Sequence, residues 1–173
     1  MNKELQFIFA RRSIRKYTDK PVSKETEKAL LEAAMAAPSA CAKDPWRFVV
    51  IRNKGMLKKI AEGLPNGKIL GDASLGILVC GDINKAHSEE LSYLLQDCSA
   101  AIENILLAAS ALGLGACWLG VHPREERGDL IKKLLGLPGN ILPVSIISIG
   151  YPAEEKESRS RYVESFVYQE NWK

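Results

Sequence analysis

The chain has 173 residues, of which 46% are hydrophobic and 26% charged, and its 24 basic and 21 acidic side chains leave a net charge of +3. That size and balance fit a single domain over residues 1–173 with its own core, and exclude a disordered chain, a collagen-like repeat and a coiled-coil rod. No apolar run reaches the roughly 18 residues of a membrane span, and so balanced a charge does not mark a nucleic-acid binder.

Residues Met1–Phe7 include Lys3 and Glu4 and lack the apolar stretch of a signal peptide. The four cysteines, Cys41, Cys80, Cys98 and Cys117, show no CxxC spacing and have only His87 and His122 for company. A cytoplasmic protein with reduced, mostly buried thiols and no zinc site is therefore expected.

Along the chain, Lys3–Ala10 reads as a short helix. Ser23 caps a helix over Lys24–Ala36, with Thr26 rather than Glu or Gln three residues on, and Pro38 stops it. Arg47–Arg52 (RFVVIR) is a buried strand by its β-branched and aromatic content, Lys54–Glu62 a helix and Leu75–Cys80 (LGILVC) a second buried strand. The longest helix spans Glu89–Leu112. Its polar residues Ser92, Gln96, Ser99, Glu103 and Ser110 form one narrow stripe, so nearly all the rest is to be buried, in the core or at a subunit interface. Gly113 and Gly115 end it. Cys117–Val121 is a third strand, Pro123–Leu135 a helix opening on Pro123 and closing at Gly136, and Val144–Ile149 a fourth strand. Phe166–Gln169 is a candidate fifth strand, in a tail with too few apolar residues to fold alone. Loose alternation of short strands and helices points to an α+β fold, a mixed or antiparallel sheet flanked by helices.

Several motifs fail on inspection. Gly63–Lys68 (GLPNGK) has the wrong glycine spacing for a phosphate loop and places Ile69 where Ser or Thr must stand. Gly113-Leu-Gly115 follows a helix instead of a strand, which suits a helix end and a turn. There is no GxSxG, and Cys117 lies in an apolar strand as a structural thiol. Two segments carry more. Arg11-Arg12-Ser13-Ile14-Arg15 offers forked guanidinium donors and a hydroxyl suited to a phosphate monoester. In an extended chain Arg11, Ser13 and Arg15 share one side, with Arg12 and Ile14 on the other. Pro38–Trp46 (PSACAKDPW) is a loop of fixed shape on which a flat aromatic ligand can rest.

Taken together, these segments resemble the nitroreductase family of FMN-dependent oxidoreductases. The carriers are RRSIRKYTDKPVS, AAPSACAKDPWRFVVI, GLGACWLGV, LLGLPGNILPVSIISIGYP and SRSRYVESFVYQENW, in family order over nearly the whole chain. The resemblance implies FMN as cofactor. Arg11, Arg12, Ser13 and Arg15 would face its phosphate and ribityl chain, and Arg159 and Arg161 would form a closing basic pair. Pro38, Ser39 and Ala40 would come from the other subunit against the isoalloxazine, with Trp118, Leu119 and Gly120 along its opposite side and Lys68 at its pyrimidine edge. Ala42 and Asp44 stand where the family often has Asn and Gln, and Tyr168 where a histidine is common.

The family likeness further implies a homodimer with the flavin at the subunit interface and exchanged C-terminal tails. NAD(P)H would deliver hydride to flavin N5, and a small aromatic acceptor such as a nitro compound or quinone would then take two electrons in a ping-pong cycle. No protein acid–base residue is called for. Two other readings are a flavin-binding or storage module without turnover, and a nucleic-acid binder using the basic arm. The balanced charge argues against the second.

Overall fold

The run Leu75–Asp82 is buried at every position, as an unbroken apolar stretch must be when both faces of a strand are covered. The computed structural model describes residues 2–172 and makes this run one of the two inner strands of a four-stranded sheet. A 3₁₀ turn, Lys3–Leu5, leads into α1 (Gln6–Ala10), followed by α2 (Lys24–Met35), β1 (Trp46–Ile51), α3 (Lys54–Glu62) and α4 (Lys68–Asp72). Then come β2 (Leu75–Asp82), α5 (Leu91–Ala111), β3 (Gly115–Gly120), α6 (Glu125–Leu135) and β4 (Ile141–Gly150). The strands lie in the order β1-β2-β4-β3, every neighbouring pair antiparallel.

The period of two sorts the side chains of β2 between two cores. Leu75, Ile77 and Val79 join Leu94, Ile102 and Ile105 of α5 and Leu30 of α2. Leu78 and Cys80 join Leu57 and Ile60 of α3, Leu70 of α4 and Ile131 of α6. The sheet is thus covered by helices on both faces, an α+β arrangement as the sequence suggests. Ser23 caps α2 as expected, its hydroxyl accepting from Thr26 N at 3.1 Å. All four cysteines are free; burial pushes the Cys80 and Cys98 thiols up to about 12, which leaves them inert packing groups.

Several boundaries differ from the sequence reading. Pro143 has no N–H to give to the ladder, and the β2–β4 register shifts beside it, between Val79 and Cys80. Gly115 opens β3 instead of closing α5; it is Gly113, at φ +72°, that turns the chain. Helix α6 begins at Glu125, with Pro123 in the preceding turn. The helix Lys68–Asp72, too short for a periodic signal, went unpredicted. Phe166–Gln169 is not a strand here: Glu164–Phe166 is a 3₁₀ turn and the tail runs exposed. A strand needs a neighbour, and the sheet's own chain provides none for it. Among the described residues no helix is long and apolar enough to cross a membrane.

Gly115 also sets the approach of the N-terminal segment. A Cβ there would come within 2.6 Å of Ile14 Cγ2. Gly115→Ala is expected to cost about 1–3 kcal/mol through overpacking, read as a lower denaturation midpoint.

Candidate functional site

The basic segment is extended and stitched to its neighbours on two sides. On one, Ser13 bridges Ala116 in parallel and Ile14 N donates to Ala116 O at 3.0 Å, which ties the segment to the open edge of β3. On the other, Thr18 N donates to Tyr151 O at 2.8 Å and Ala153 N to Lys16 O at 2.9 Å. Between them Tyr17 is packed in, its hydroxyl donating to Ile14 O at 2.8 Å and lying 2.8 Å from Ser148 Oγ. Burial pushes that phenol far above its ordinary range, so it stays neutral.

Alternation then distributes the side chains as the extended reading requires. Ile14 is buried, and the Arg12 guanidinium turns away to the Glu157 carbonyl. Arg15 shares a cavity wall with Cys117, Lys156 Nζ reaches the Ser13 carbonyl, and the charges of Arg15, Lys156 and Arg11 act on the Cys117 thiol. Burial raises the Cys117 thiol, and the surrounding Arg15, Lys156 and Arg11 charges and the Ser13 hydroxyl only partly offset it. The spot is therefore electropositive without holding a thiolate nucleophile. Arg11 is oriented by Glu103 of α5, Nε to Oε1 at 3.4 Å.

Lys156 and Glu154 are site residues that the sequence reading missed. Lys156 Nζ donates to Ser13 O at 2.6 Å and pairs with Glu154 at 3.2 Å, while Glu154 Oε1 accepts the Arg15 backbone N–H at 2.5 Å. In sequence they belong to a charged run after Pro152, with nothing local to set them apart. The Arg15 N–H and the Lys156 ammonium hold the Glu154 carboxyl below the ordinary carboxylate range. A depressed acid contributes stability above its unfolded pKa, and that contribution is lost as pH falls through the folded value. The stability gap between wild type and Glu154→Gln should therefore narrow as pH is lowered from about 7 to about 3, as followed by thermal denaturation.

A cavity of about 360 Å³ opens beside this segment, its wall formed by Arg15, Lys68, Trp118, Leu119, Asn66 and Cys117 among others. Lys68 is the first residue of α4 and lines the same cavity. Trp118 is exposed, alternating along β3 with the buried Cys117 and Leu119. Gly120 borders a smaller adjoining pocket of about 100 Å³, where Arg127 Nη1 donates to its carbonyl at 3.0 Å. Arg15, Lys68, Trp118 and Leu119 are thus brought together. This wall is cationic and carries an aromatic side chain, and it suits an aromatic ring that bears or gains negative charge.

The remaining sequence candidates lie elsewhere on the chain. Pro38, Ser39 and Ala40 do not line this cavity. Their loop is pinned to α5, where Asp97 Oδ1 accepts Ala40 N at 2.9 Å, and Ser39 Oγ donates to Asp44 Oδ1 at 2.5 Å. Asp97, only 5% exposed, is a carboxylate on an otherwise apolar face of α5, and that mismatch is the signal that marks it. Arg159 and Arg161 lie on the exposed tail. The backbone of Arg159 is tied to Phe9 O at 3.2 Å, and among the described residues neither guanidinium makes a hydrogen bond or ion pair.

Several similar proteins match this chain over their whole length. A provisionally named NADH dehydrogenase/NAD(P)H nitroreductase of Archaeoglobus fulgidus is 46% identical over 175 residues, 99% of this chain and 100% of the relative. The FMN-dependent nitroreductase of Clostridium difficile R20291 superposes with a TM-score of 0.89 at 32% identity, covering 97% of this chain and 99% of that one. A provisionally named nitroreductase of Desulfovibrio desulfuricans, crystallised in complex with FMN, superposes at 0.84 with 35% identity, over 100% of this chain and 99% of its own. The sequence pattern described as the nitroreductase family matches residues 8–67 and 58–151, spanning the basic segment, the sheet and the cavity wall. The chain belongs to the nitroreductase family.

Proposed function

We propose that the chain, acting as one domain, is an FMN-dependent oxidoreductase that takes hydride from NAD(P)H and passes two electrons to a small aromatic acceptor, a nitro compound or a quinone, in a ping-pong cycle. The observation that carries this reading is that the basic segment Arg11–Arg15, with Lys156 held on Ser13, opens through Arg15 onto the Trp118-walled cavity. A phosphate-matched donor set beside a cavity walled by an aromatic side chain fits a flavin mononucleotide. Support comes from the family and from relatives named for FMN and for NAD(P)H.

Bound FMN supplies the hydride and two-electron chemistry. The protein's residues hold and tune it. In this reading Arg11, Ser13, Arg159 and Arg161 bind the phosphate, with Arg12 securing the tail to the same segment. Arg15 and Lys68 place positive charge at the pyrimidine edge, where added negative charge is favoured. Backbone N–H groups near Leu119 and Gly120 serve the ring's polar edge, and Trp118 borders the cavity.

The other face is assigned to Pro38, Ser39 and Ala40 of a second subunit. Two features support a homodimer. Strand β1 is a free edge, flanked by a groove of about 560 Å³ whose lining includes Val49, Ile51, Met56 and Leu135. The tail exposes Tyr162, Phe166 and Trp172, at 73%, 78% and 82%. An open edge and an extended apolar segment are complementary in the manner of strand addition. The test is the visible absorption spectrum of the protein after FMN addition and desalting, then anaerobic NAD(P)H. Near-stoichiometric flavin that bleaches with NAD(P)H is the expected result. Colourless protein after reconstitution would overturn it.

A further inference from the structure

A second basic basin adjoins the Arg15 cavity. It has a volume of about 640 Å³, and its wall carries Arg15, Lys16, Lys54 and Lys58 against the carboxylates Asp19 and Asp72. Arg15 stands in the walls of both cavities, so its side chain can be shared by ligands in either.

The charges in the basin are unequally committed. Lys54 Nζ donates to the carbonyls of Ala73 at 2.7 Å and Asp72 at 3.3 Å, closing the end of α4. Its position is fixed, and its charge remains. Among the described residues Arg15, Lys16 and Lys58 make no ion pair, and neither do Asp19 and Asp72. The Arg15 side chain has only a long contact, 3.4 Å, to its near neighbour Ser13 O. Four cations against two carboxylates leave a surplus of positive charge around a concavity. A concavity with net positive charge draws anions, less strongly than one lined by cations alone. A forked guanidinium with mobile ammonium groups matches a ligand bearing several anionic oxygens.

We propose that this basin is an anion subsite, receiving the phosphate groups of a reactant whose other end works in the Arg15–Trp118 cavity. The proposal rests on the flavin reading above. Two reactants have the required chemistry: the nicotinamide dinucleotide through its diphosphate, and a phosphorylated acceptor. Flavin phosphate is assigned to Arg11 and Ser13, so the basin is distinct from that site.

The test compares FMN-loaded wild type with the Lys16→Gln/Lys58→Gln double variant, which leaves Arg15 in place. Pyrophosphate is titrated calorimetrically, retained flavin is measured after filtration, and steady-state kinetics are run with each reactant varied. Pyrophosphate should bind wild type without releasing FMN and should compete with one reactant. In the double variant its affinity should drop about tenfold or more, and the KM of that reactant should rise in step with kcat unchanged. Competition against NAD(P)H identifies the donor as occupant, and competition against the acceptor identifies the acceptor. Unchanged pyrophosphate binding in the variant, or no binding at all, overturns the proposal. So does pyrophosphate that displaces FMN, since the basin would then be the flavin's own phosphate site. A wild type that holds no FMN overturns the flavin reading instead; pyrophosphate binding to that protein, and its loss in the variant, still decide the subsite.

Discussion

Truncation after Arg161 should turn the protein into a flavin-free monomer. The removed segment contains Tyr162, Phe166 and Trp172, three of the most exposed large apolar side chains. Burying a large apolar side chain is worth about 1.5–3 kcal/mol, so these three would contribute roughly 5–9 kcal/mol of gross association energy before ordering costs. Arg159 and Arg161 remain in the truncated chain, so loss of flavin would report the interface and not the phosphate contacts. Sedimentation velocity gives the mass and absorbance the flavin content. A truncated protein that stays dimeric and yellow would show that the tail is not the clamp. Phe166→Asp is the point-substitution counterpart and should weaken association in the same direction.

Arg11→Ala should weaken FMN binding by roughly 10–150-fold, the equivalent of a charge-assisted hydrogen bond at about 1.5–3 kcal/mol. Arg11 is suited to the task because Glu103 holds its Nε and leaves the terminal nitrogens of the fork free to turn to a ligand. Removing Arg11 also leaves Glu103 without its partner, and if the phosphate sits where proposed that carboxylate would add repulsion. Glu103 is half exposed, so solvent limits that contribution. Glu103→Gln separates the two effects, since it removes the carboxylate charge while keeping the arginine. Equilibrium titration followed by flavin fluorescence measures both variants. FMN held as tightly by Arg11→Ala as by wild type would remove Arg11 from the phosphate site.

Sequence patterning located the elements whose cause is local. The apolar run of β2 read directly as a buried strand, and the polar stripe of α5 marked its solvent side at Ser92, Gln96 and Glu103, although Leu91, Tyr93 and Leu112, expected to be buried, are exposed. Alternation along Arg11–Arg15 predicted which side chains act on Cys117, because an extended backbone leaves them no other arrangement. What sequence could not supply were contacts made across the chain. Lys156 meets Ser13 across 143 positions and Glu154 meets Arg15 across 139, and neither residue type nor spacing distinguishes them from solvated charges. Phe166–Gln169 fails for a related reason: strand propensity marks it, but a strand is defined by what lies beside it. Helix α4 is too short to show a period, yet it delivers Lys68 to the cavity.

The loop after Pro38 has its own consequence. Cys41, Ala42 and Asp44 all adopt left-handed backbone conformations, φ 51°, 51° and 48°, with no glycine among them. Each such residue carries a conformational penalty on the order of 1–2 kcal/mol, and the anchors supplied by Asp97 and by the Ser39–Asp44 pair hold it in place. Selection for heat tolerance alone would drift toward glycine at these positions, relaxing the backbone while loosening the surface that Pro38 and Ala40 present. Glycine at Cys41 and Ala42 is therefore expected to raise the denaturation midpoint while loosening the loop.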